Sequence, residues 1–414
     1  MPRAPAAMAL SSTSGSATPG ARGSQDLRLR RALLRWFRKH ARALPWRATR
    51  DPYRIWVSEI MLQQTQVATV IPYYTRFLRA FPSLDRLAQA RLERILELWS
   101  GLGYYRRARH LHAAARKIAA EFEGRFPATP REARSLPGVG AYTAAAVLSM
   151  AYGVPLAVLD GNVARVVARL EERRGSLADP EFRRQVEGRL AALISRRRPG
   201  DFNQALMELG QTVCLPRAPR CPLCPLRRDC RAHRCGRPEA FPSPRPRRAG
   251  EEHHLAAAVI FGPHHRARGA GTIESRAAAG TGTGEASVLL VRGLDDGLMS
   301  DLWNFPSAIG ASSQAARTRL LEKLAVLGGG PDGLRLGEEL AALKHGVTYR
   351  KIQVRVYRAN PAAPHGPGIR WLRLSRVGGA AVSQLARKIT RALIGAGQAS
   401  AASGLPGARR SHET

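Results

Sequence analysis

Four cysteines crowd one short stretch of this chain. Cys214, Cys221, Cys224 and Cys230 follow the spacing Cys-x6-Cys-x2-Cys-x5-Cys, and a fifth, Cys235, stands just beyond. Thiolates this close in sequence can close around one metal centre, either a structural zinc ion or an iron–sulfur cluster. The thiolate count alone leaves the two level. Disulfides fit less well: the N-terminus lacks the apolar core of a secretory signal, and thiols in a reducing compartment stay free.

Two carboxylates lie in settings where chemistry is possible. Glu59 sits in an apolar helical stretch beside Ile60 and Met61. A lone Glu there ordinarily snorkels or pairs with a base. Inside a pocket, burial would instead raise its pKa and make it an acid near neutral pH. Asp160 follows the strand-like run Val158-Leu159 and precedes Gly161. Its ordinary reading is the N-cap of a helix beginning near Asn162. A carboxylate there can also stabilise a cation, and the two roles are compatible. Between them, Leu136-Pro137-Gly138-Val139-Gly140-Ala141-Tyr142 reads as a tight turn running into a helix. Gly138 and Gly140 leave backbone N–H groups bare, so they can point at a phosphate with help from the helix dipole.

That turn resembles the helix-hairpin-helix motif of DNA glycosylases. The 6-2-5 cysteine interval resembles the [4Fe–4S] loop of the endonuclease III and adenine glycosylase superfamily. Pro45-Trp46-Arg47, the run from Trp56 to Val67, Gly101-Leu102-Gly103-Tyr104-Tyr105 and Leu159-Asp160-Gly161-Asn162-Val163 are similar to the MutY-type adenine glycosylases, which remove adenine mispaired with 8-oxoguanine. The likeness covers most of Pro45 to Cys230. It implies a [4Fe–4S] cluster on the four cysteines, and Glu59 as the acid that protonates a ring nitrogen of the leaving adenine. It implies Asp160 as stabiliser of the sugar cation, with Tyr142 and Asn162 in the same catalytic group. Because a base inside a duplex is out of reach, the adenine must be flipped out. The resemblance puts Gln64 and Tyr104 in the space left behind, and Arg47 and Gln204 against the base. Tyr142 occupies the place where bifunctional relatives carry a lysine nucleophile, and no lysine occurs between Lys117 and Lys323. Base removal without efficient strand cutting is therefore expected. The expected partner is double-stranded DNA with an A:8-oxoguanine or A:G mispair, and a monomer is expected.

The whole chain agrees with a polyanionic partner. It has 414 residues and a formal net charge of +35, carried almost entirely by arginine. Phosphate neutralisation drives binding by such a surface. No apolar run of about 18 residues suggests a membrane span. A cytoplasmic place is expected, nucleoid-associated if the source is bacterial.

The elements that must position these residues read as follows. Residues 1–24 are a disordered basic arm and 25–235 a helical domain. Trp56, Ile60, Val67 and Ile71 form one helical stripe before Pro72. Residues 236–254, rich in Pro and Arg, are a linker. Residues 255–395 form a small α/β domain with strands at Leu255–Phe261, Ser287–Val291 and Ile352–Tyr357, a helix at Ala316–Leu327 and a disordered insertion at about 262–286. Residues 396–414 are a loose tail. Leu302-Trp303-Asn304-Phe305-Pro306 resembles a signature of the Nudix-like domains attached to adenine glycosylases. The helix has Glu322 as its only acid, too few to hold magnesium for hydrolysis, so recognition is expected of this domain. The family reads 8-oxoguanine with a Phe-Ser-His loop; the nearest match is Val347-Thr348-Tyr349, which keeps only the hydroxyl, at Thr348. The fold expected is multidomain: an all-α helix-hairpin-helix glycosylase domain with an iron–sulfur loop, plus an α/β Nudix-like domain. Three competing readings are a glycosylase for thymine or uracil mismatches, a noncatalytic DNA-binding protein with a zinc-stabilised loop, and a nucleotide pyrophosphatase. The C-terminal domain, the two carboxylates and the missing Nudix acids weigh against them in turn.

Overall fold

The computed structural model describes residues 19–243, 250–262, 286–292, 302–327, 335–347, 350–359 and 368–402. The helices of the first half are α1 (Pro19–His40), α2 (Pro52–Leu62), α3 (Val67–Ala80), α4 (Leu84–Ala88), α5 (Leu92–Trp99), α6 (Arg106–Glu121), α7 (Pro130–Arg134), α8 (Ala141–Ala151), α9 (Gly161–Glu171), α10 (Pro180–Leu193), α11 (Pro199–Thr212) and α12 (Arg231–Arg234). Then come β1 (Glu251–Ile260), β2 (Ser287–Val291), β3 (Ser307–Gly310), α13 (Ser313–Leu327), β4 (Leu336–Val347), β5 (Arg350–Ala359), β6 (Ile369–Arg373), α14 (Leu374–Val377) and α15 (Gln384–Ala402). By packing, the chain divides into two compact units. One joins Met1–Glu59 with Phe126–Arg245, the other Ile60–Arg125 with Pro246–Thr414. Among the described residues, no helix is long and apolar enough to cross a membrane.

In the first unit, apolar stripes of α1 (Leu29, Leu33, Phe37), α9 (Val163, Val166, Val167, Leu170) and α11 (Phe202, Leu206, Leu209) close on one core. An ionic clamp fixes their angles. The buried Arg189 of α10 holds Asp26 of α1 at 2.6 Å and Glu171 of α9 at 2.7 Å. Helix α1 reaches back to Pro19, inside the stretch expected to be a disordered arm.

The single stripe expected from Trp56 to Ile71, which begins in the first unit and continues in the second, is two helices. The chain breaks between α2 and α3, where Gln64 takes a left-handed φ of 55°. Pro72 lies inside α3 without ending it. What stops α2 is a side chain from elsewhere. Arg107 of α6, only 9% exposed, donates to the carbonyls of Ile60 (2.9 Å), Met61 (2.8 Å) and Gln63 (2.6 Å). Carbonyls at a helix C-terminus lack intrahelical partners, and a cation there suits the helix dipole. The same guanidinium reaches Thr65 Oγ1 at 3.2 Å and the Gly103 carbonyl at 3.1 Å. Burial lowers its pKa to about 10, so it stays charged at neutral pH. Arg107→Met should strand these carbonyls and cost about 3 kcal/mol or more; urea unfolding of the variant measures it.

The α/β part of this unit has a four-stranded sheet in the order β3-β1-β5-β4 and a two-stranded sheet of β2 and β6. Strand β1 is central, parallel to β5 and antiparallel to β3. Leu255 to Ile260 are accordingly buried on both faces. Strand β5 alternates, with Ile352, Val354 and Val356 buried. Helix α13 packs on one face through Ala316, Leu320 and Leu324. Helix α15 contributes Leu385, Ala386, Ile389 and Leu393 to the other core. Strand β4 pairs antiparallel with β5, and Val347 faces Arg350 in the register. Thr348 and Tyr349, between them, lie outside the described residues, as does most of the expected insertion at 262–286.

Candidate active site

Glu59 sits in the last turn of α2, between Ser58 and Ile60 on a helix whose residues Ile55 to Met61 are all buried. The residue is 5% exposed. Burial drives its pKa from the usual carboxylate range up to about 7; a hydrogen bond with Tyr142 and the charge of Arg47 pull it down, and the charge of Asp160 pushes it up. The hydroxyl of Tyr142, in the first turn of α8, is enclosed, and burial beside the two carboxylates holds its pKa well above the usual phenol range. It remains a donor, placed 3.2 Å from Met207 Sδ. Its one proton can go to the Glu59 carboxylate, the bond that pulls the Glu59 pKa down, or to the sulfur.

Asp160 caps α9. Its Oδ1 accepts from the Val163 N–H at 2.7 Å and its Oδ2 from Asn162 Nδ2 at 2.9 Å. The run before it is irregular: residues 153–160 form no strand. Asn203, fully buried on α11, shapes it instead. Its Oδ1 accepts from Val158 N–H at 3.1 Å, and its Nδ2 donates to the Leu156 carbonyl at 2.8 Å. The turn before α8 has Gly138 at φ 75°, and Gly140 is the extended N-cap with open space beside its Cα.

Arg47 and Gln204 open on a recess of about 230 Å³ that Ile55, Arg50, Met150 and Asp201 also line. Glu59, Tyr142 and Asp160 are not in its wall. Arg47 is not a loose contact group. Its Nη2 is 2.7 Å from Glu208, which is 1% exposed at the side chain and also takes Arg42 Nε at 2.6 Å. Burial alone would raise the Glu208 pKa, but the two arginines hold it below the usual carboxylate range. Gln64 and Tyr104 belong to the second unit. Both are exposed and left-handed, at φ 55° and 50°.

The four cysteines line one cavity together with Arg169, Arg227 and His233; Cys235 does not line it. Burial raises all three thiols Cys221, Cys224 and Cys230, and Cys224 reaches about 12. Such sulfurs become thiolates only beside strong positive charge. Among the described residues, no group of three or more Cys, His, Asp or Glu side chains is arranged as a metal-ion site. Arg169, 3% exposed, ties the loop to α9. It donates to Cys214 Sγ at 3.3 Å, to the Leu215 and Pro216 carbonyls at 2.6 and 2.9 Å, and to Phe241 O at 3.0 Å. Arg165, one turn earlier, joins Asn162 Oδ1 (2.9 Å) to the Cys214 carbonyl (2.8 Å). Nothing in the sequence near Arg165, Arg169, Asn203 or Glu208 announced these roles, because most of their partners are distant along the chain.

Residues 57–191, which carry Glu59, Tyr142 and Asp160, match the HhH-GPD superfamily of base excision DNA repair proteins. The adenine DNA glycosylase of Mus musculus is 37% identical across 87% of this chain and 76% of its own length. That of Homo sapiens is 37% identical, across 87% of this chain and 73% of its own. A solved thermostable thymine-DNA glycosylase matches 52% of this chain and 99% of its own at 28% identity, with a TM-score of 0.48. The likeness to the curated proteins runs far beyond the helical motif and through the α/β region, and by it the chain belongs to the adenine DNA glycosylase family, which are DNA N-glycosylases.

Proposed function

We propose that this enzyme excises adenine paired with 8-oxoguanine or guanine in duplex DNA, hydrolysing the N-glycosidic bond without cutting the strand. The observation that carries it is the pair of unlike carboxyls: Glu59 enclosed with a pKa near 7, Asp160 held by the α9 N-terminus and Asn162. An enclosed carboxyl with a raised pKa can serve as the acid, and a carboxylate anchored at a helix N-terminus can face developing positive charge. Glu59 gives its proton to a ring nitrogen of adenine, and the base leaves with the electrons of the C1′–N9 bond. Asp160 stabilises the sugar cation until water adds at C1′. Tyr142 orients Glu59, and Asn162 orients Asp160. Arg47 and Gln204 meet the flipped base, with Arg47 fixed by Glu208. Gly138 and Gly140 face a DNA phosphate, and Gln64 and Tyr104 fill the emptied stack. No lysine lies between Lys117 and Lys323, so the segment that carries Tyr142 and Asp160 has no Schiff-base nucleophile of its own.

Purified protein on duplexes carrying A:8-oxoguanine, A:G, T:G and A:C should release free adenine from the first two, with strand breaks only after alkali. Thymine release from T:G would contradict this, as would breaks without alkali.

Cys214, Cys221, Cys224 and Cys230 would hold a [4Fe–4S] cluster. The four sulfurs line one cavity, and their 6-2-5 spacing, like that of the endonuclease III superfamily loop, supports an iron–sulfur group over zinc. When bound, it would anchor the loop that Arg169 and Arg165 tie to α9. The protein should absorb broadly near ~400 nm, as cysteine-ligated iron does, and Cys235→Ser should keep that band. Stoichiometric zinc without iron in anaerobic preparations would overturn it.

The C-terminal α/β region acts as a Nudix-like reader of the lesion. 8-Oxoguanine differs from guanine by an oxygen and a proton on N7, and Thr348 would accept from that N–H. Thr348→Ala should cost about 1 kcal/mol of preference, roughly fivefold in the excision ratio of A:8-oxoguanine to A:G. An unchanged ratio moves the contact to Tyr349.

A further inference from the structure

Tyr104 is 45% exposed and left-handed, a costly arrangement for an aromatic residue unless its surroundings impose it. The base of its loop is gripped by the C-terminal region of the same compact unit. Ser100, 3% exposed, accepts from Arg387 Nε at 3.1 Å and Nη2 at 2.6 Å, and donates to the Val382 carbonyl at 3.1 Å. Its hydroxyl capacity is thereby used up. Gln384 Nε2 donates to the Gly101 carbonyl at 2.5 Å. Tyr105 Oη donates to Val382 O at 3.3 Å and accepts from the Gly101 N–H at 3.1 Å. Gly101 has a φ of 105°, and a Cβ there would lie 2.0 Å from the Tyr73 hydroxyl. Beyond this grip only Leu102 and Gly103 separate the clamped residues from Tyr104. The Gly103 carbonyl is fixed by Trp99 Nε1 at 3.1 Å.

We propose that the start of α15 is a clamp that positions Tyr104 for entry into the duplex, with Arg387 and Gln384 as its positioning residues. The C-terminal region then acts on adenine excision through the wedge as well as through the opposite base. The proposal rests on the reading of Tyr104 as the inserted group. Physically, the clamp removes loop freedom before DNA arrives, so less is lost on insertion. The position of the grip at residues 100–101, and its charge-assisted hydrogen bonds to a buried hydroxyl, give it the stiffness to do so.

The test uses full-length protein and the variants Arg387→Ala, Arg387→Lys, Gln384→Ala, Tyr104→Ala and Arg387→Ala with Tyr104→Ala. Amide hydrogen exchange is followed without DNA across residues 100–105, with β1 and β5 as the control for folding. Single-turnover excision is measured on A:8-oxoguanine duplex. Arg387→Ala should speed exchange at 100–105 and slow excision, each by about tenfold, the scale of one charge-assisted hydrogen bond. Strand protection should stay put, Gln384→Ala should show a smaller change in the same direction, and Arg387→Lys should recover part of the loss. In the Tyr104→Ala background, Arg387→Ala should slow excision no further. Unchanged exchange at 100–105 would overturn the clamp, and so would an equal slowing in the Tyr104→Ala background. Wild-type excision by Tyr104→Ala, with faster exchange in Arg387→Ala, would instead overturn the wedge reading on which the functional half depends.

Discussion

Glu59→Gln should bind mispaired duplex and yet excise adenine about 100- to 10,000-fold more slowly, the span that a positioned general acid contributes. The amide matches the carboxyl in shape and keeps a hydrogen bond with Tyr142, but it has no proton to give. The same substitution should reveal a stability effect. The folded-state pKa of Glu59, about 7, lies above the ordinary carboxyl value of 4.5. The folded protein therefore binds this proton more tightly than the unfolded chain, so the contribution of Glu59 to stability is full below pH 4.5 and is lost as pH rises through 7. The loss is on the order of 3 kcal/mol. Relative to wild type, Glu59→Gln should gain stability between pH 5 and pH 8, read as a growing difference in Tm. A protein that is less active and more stable at pH 8 would show that the acid is held at a cost to the fold. A Tm difference that does not change with pH would mean that the burial of Glu59 does not control its protonation.

Asp160→Asn should be the second severe loss, about 100- to 1,000-fold in excision, the scale for removing one group aimed at developing charge. Asp160 also caps α9 through its 2.7 Å bond from Val163, so a naive deletion would confuse fold with chemistry. Asparagine separates them because it caps helices about as well as aspartate. Asp160→Asn should thus keep its Tm close to wild type, whereas Asp160→Ala should lose about 1 kcal/mol of stability as well. Comparable excision by Asp160→Asn and wild type would reduce Asp160 to a cap.

The parts of this site that could be read from sequence were those with local signals. Asp160 precedes a glycine and an apolar helix, so its capping was foreseeable. Glu59 was conspicuous because its neighbours are apolar, and the short interval of Cys214 to Cys230 foretold that the four sulfurs would share one cavity. Arg107, Glu208 and Asn203 gave no such signal. Each looks like an ordinary polar residue on a helix, and each becomes structural only through partners that the fold brings from far along the chain. Glu208 meets Arg47 across 161 residues of sequence. The break between α2 and α3 was hidden for a related reason. Gln64 adopts a left-handed φ of 55° without the glycine that would advertise it, and Arg107 secures the turn from outside. In the α/β region the apolar centre of β1 was legible, but β4 was not. It is an edge strand with Glu338, Glu339 and Lys344, and its pairing with β5 slips between Leu336 and Ala341. Helix α15 was invisible among the alanines and glycines of its second half, although its first turns carry the Ser383, Gln384 and Arg387 contacts.

The most direct measurement of the central claim is the single-turnover rate of adenine release from A:8-oxoguanine duplex as a function of pH, with enzyme in excess so that product release does not intrude. With Glu59 as the acid, the wild-type rate should be level below pH 7 and fall about tenfold per pH unit well above it, while Glu59→Gln is slow and level throughout. A wild-type rate that holds constant to pH 9, or a Glu59→Gln enzyme that keeps the wild-type profile, would contradict it.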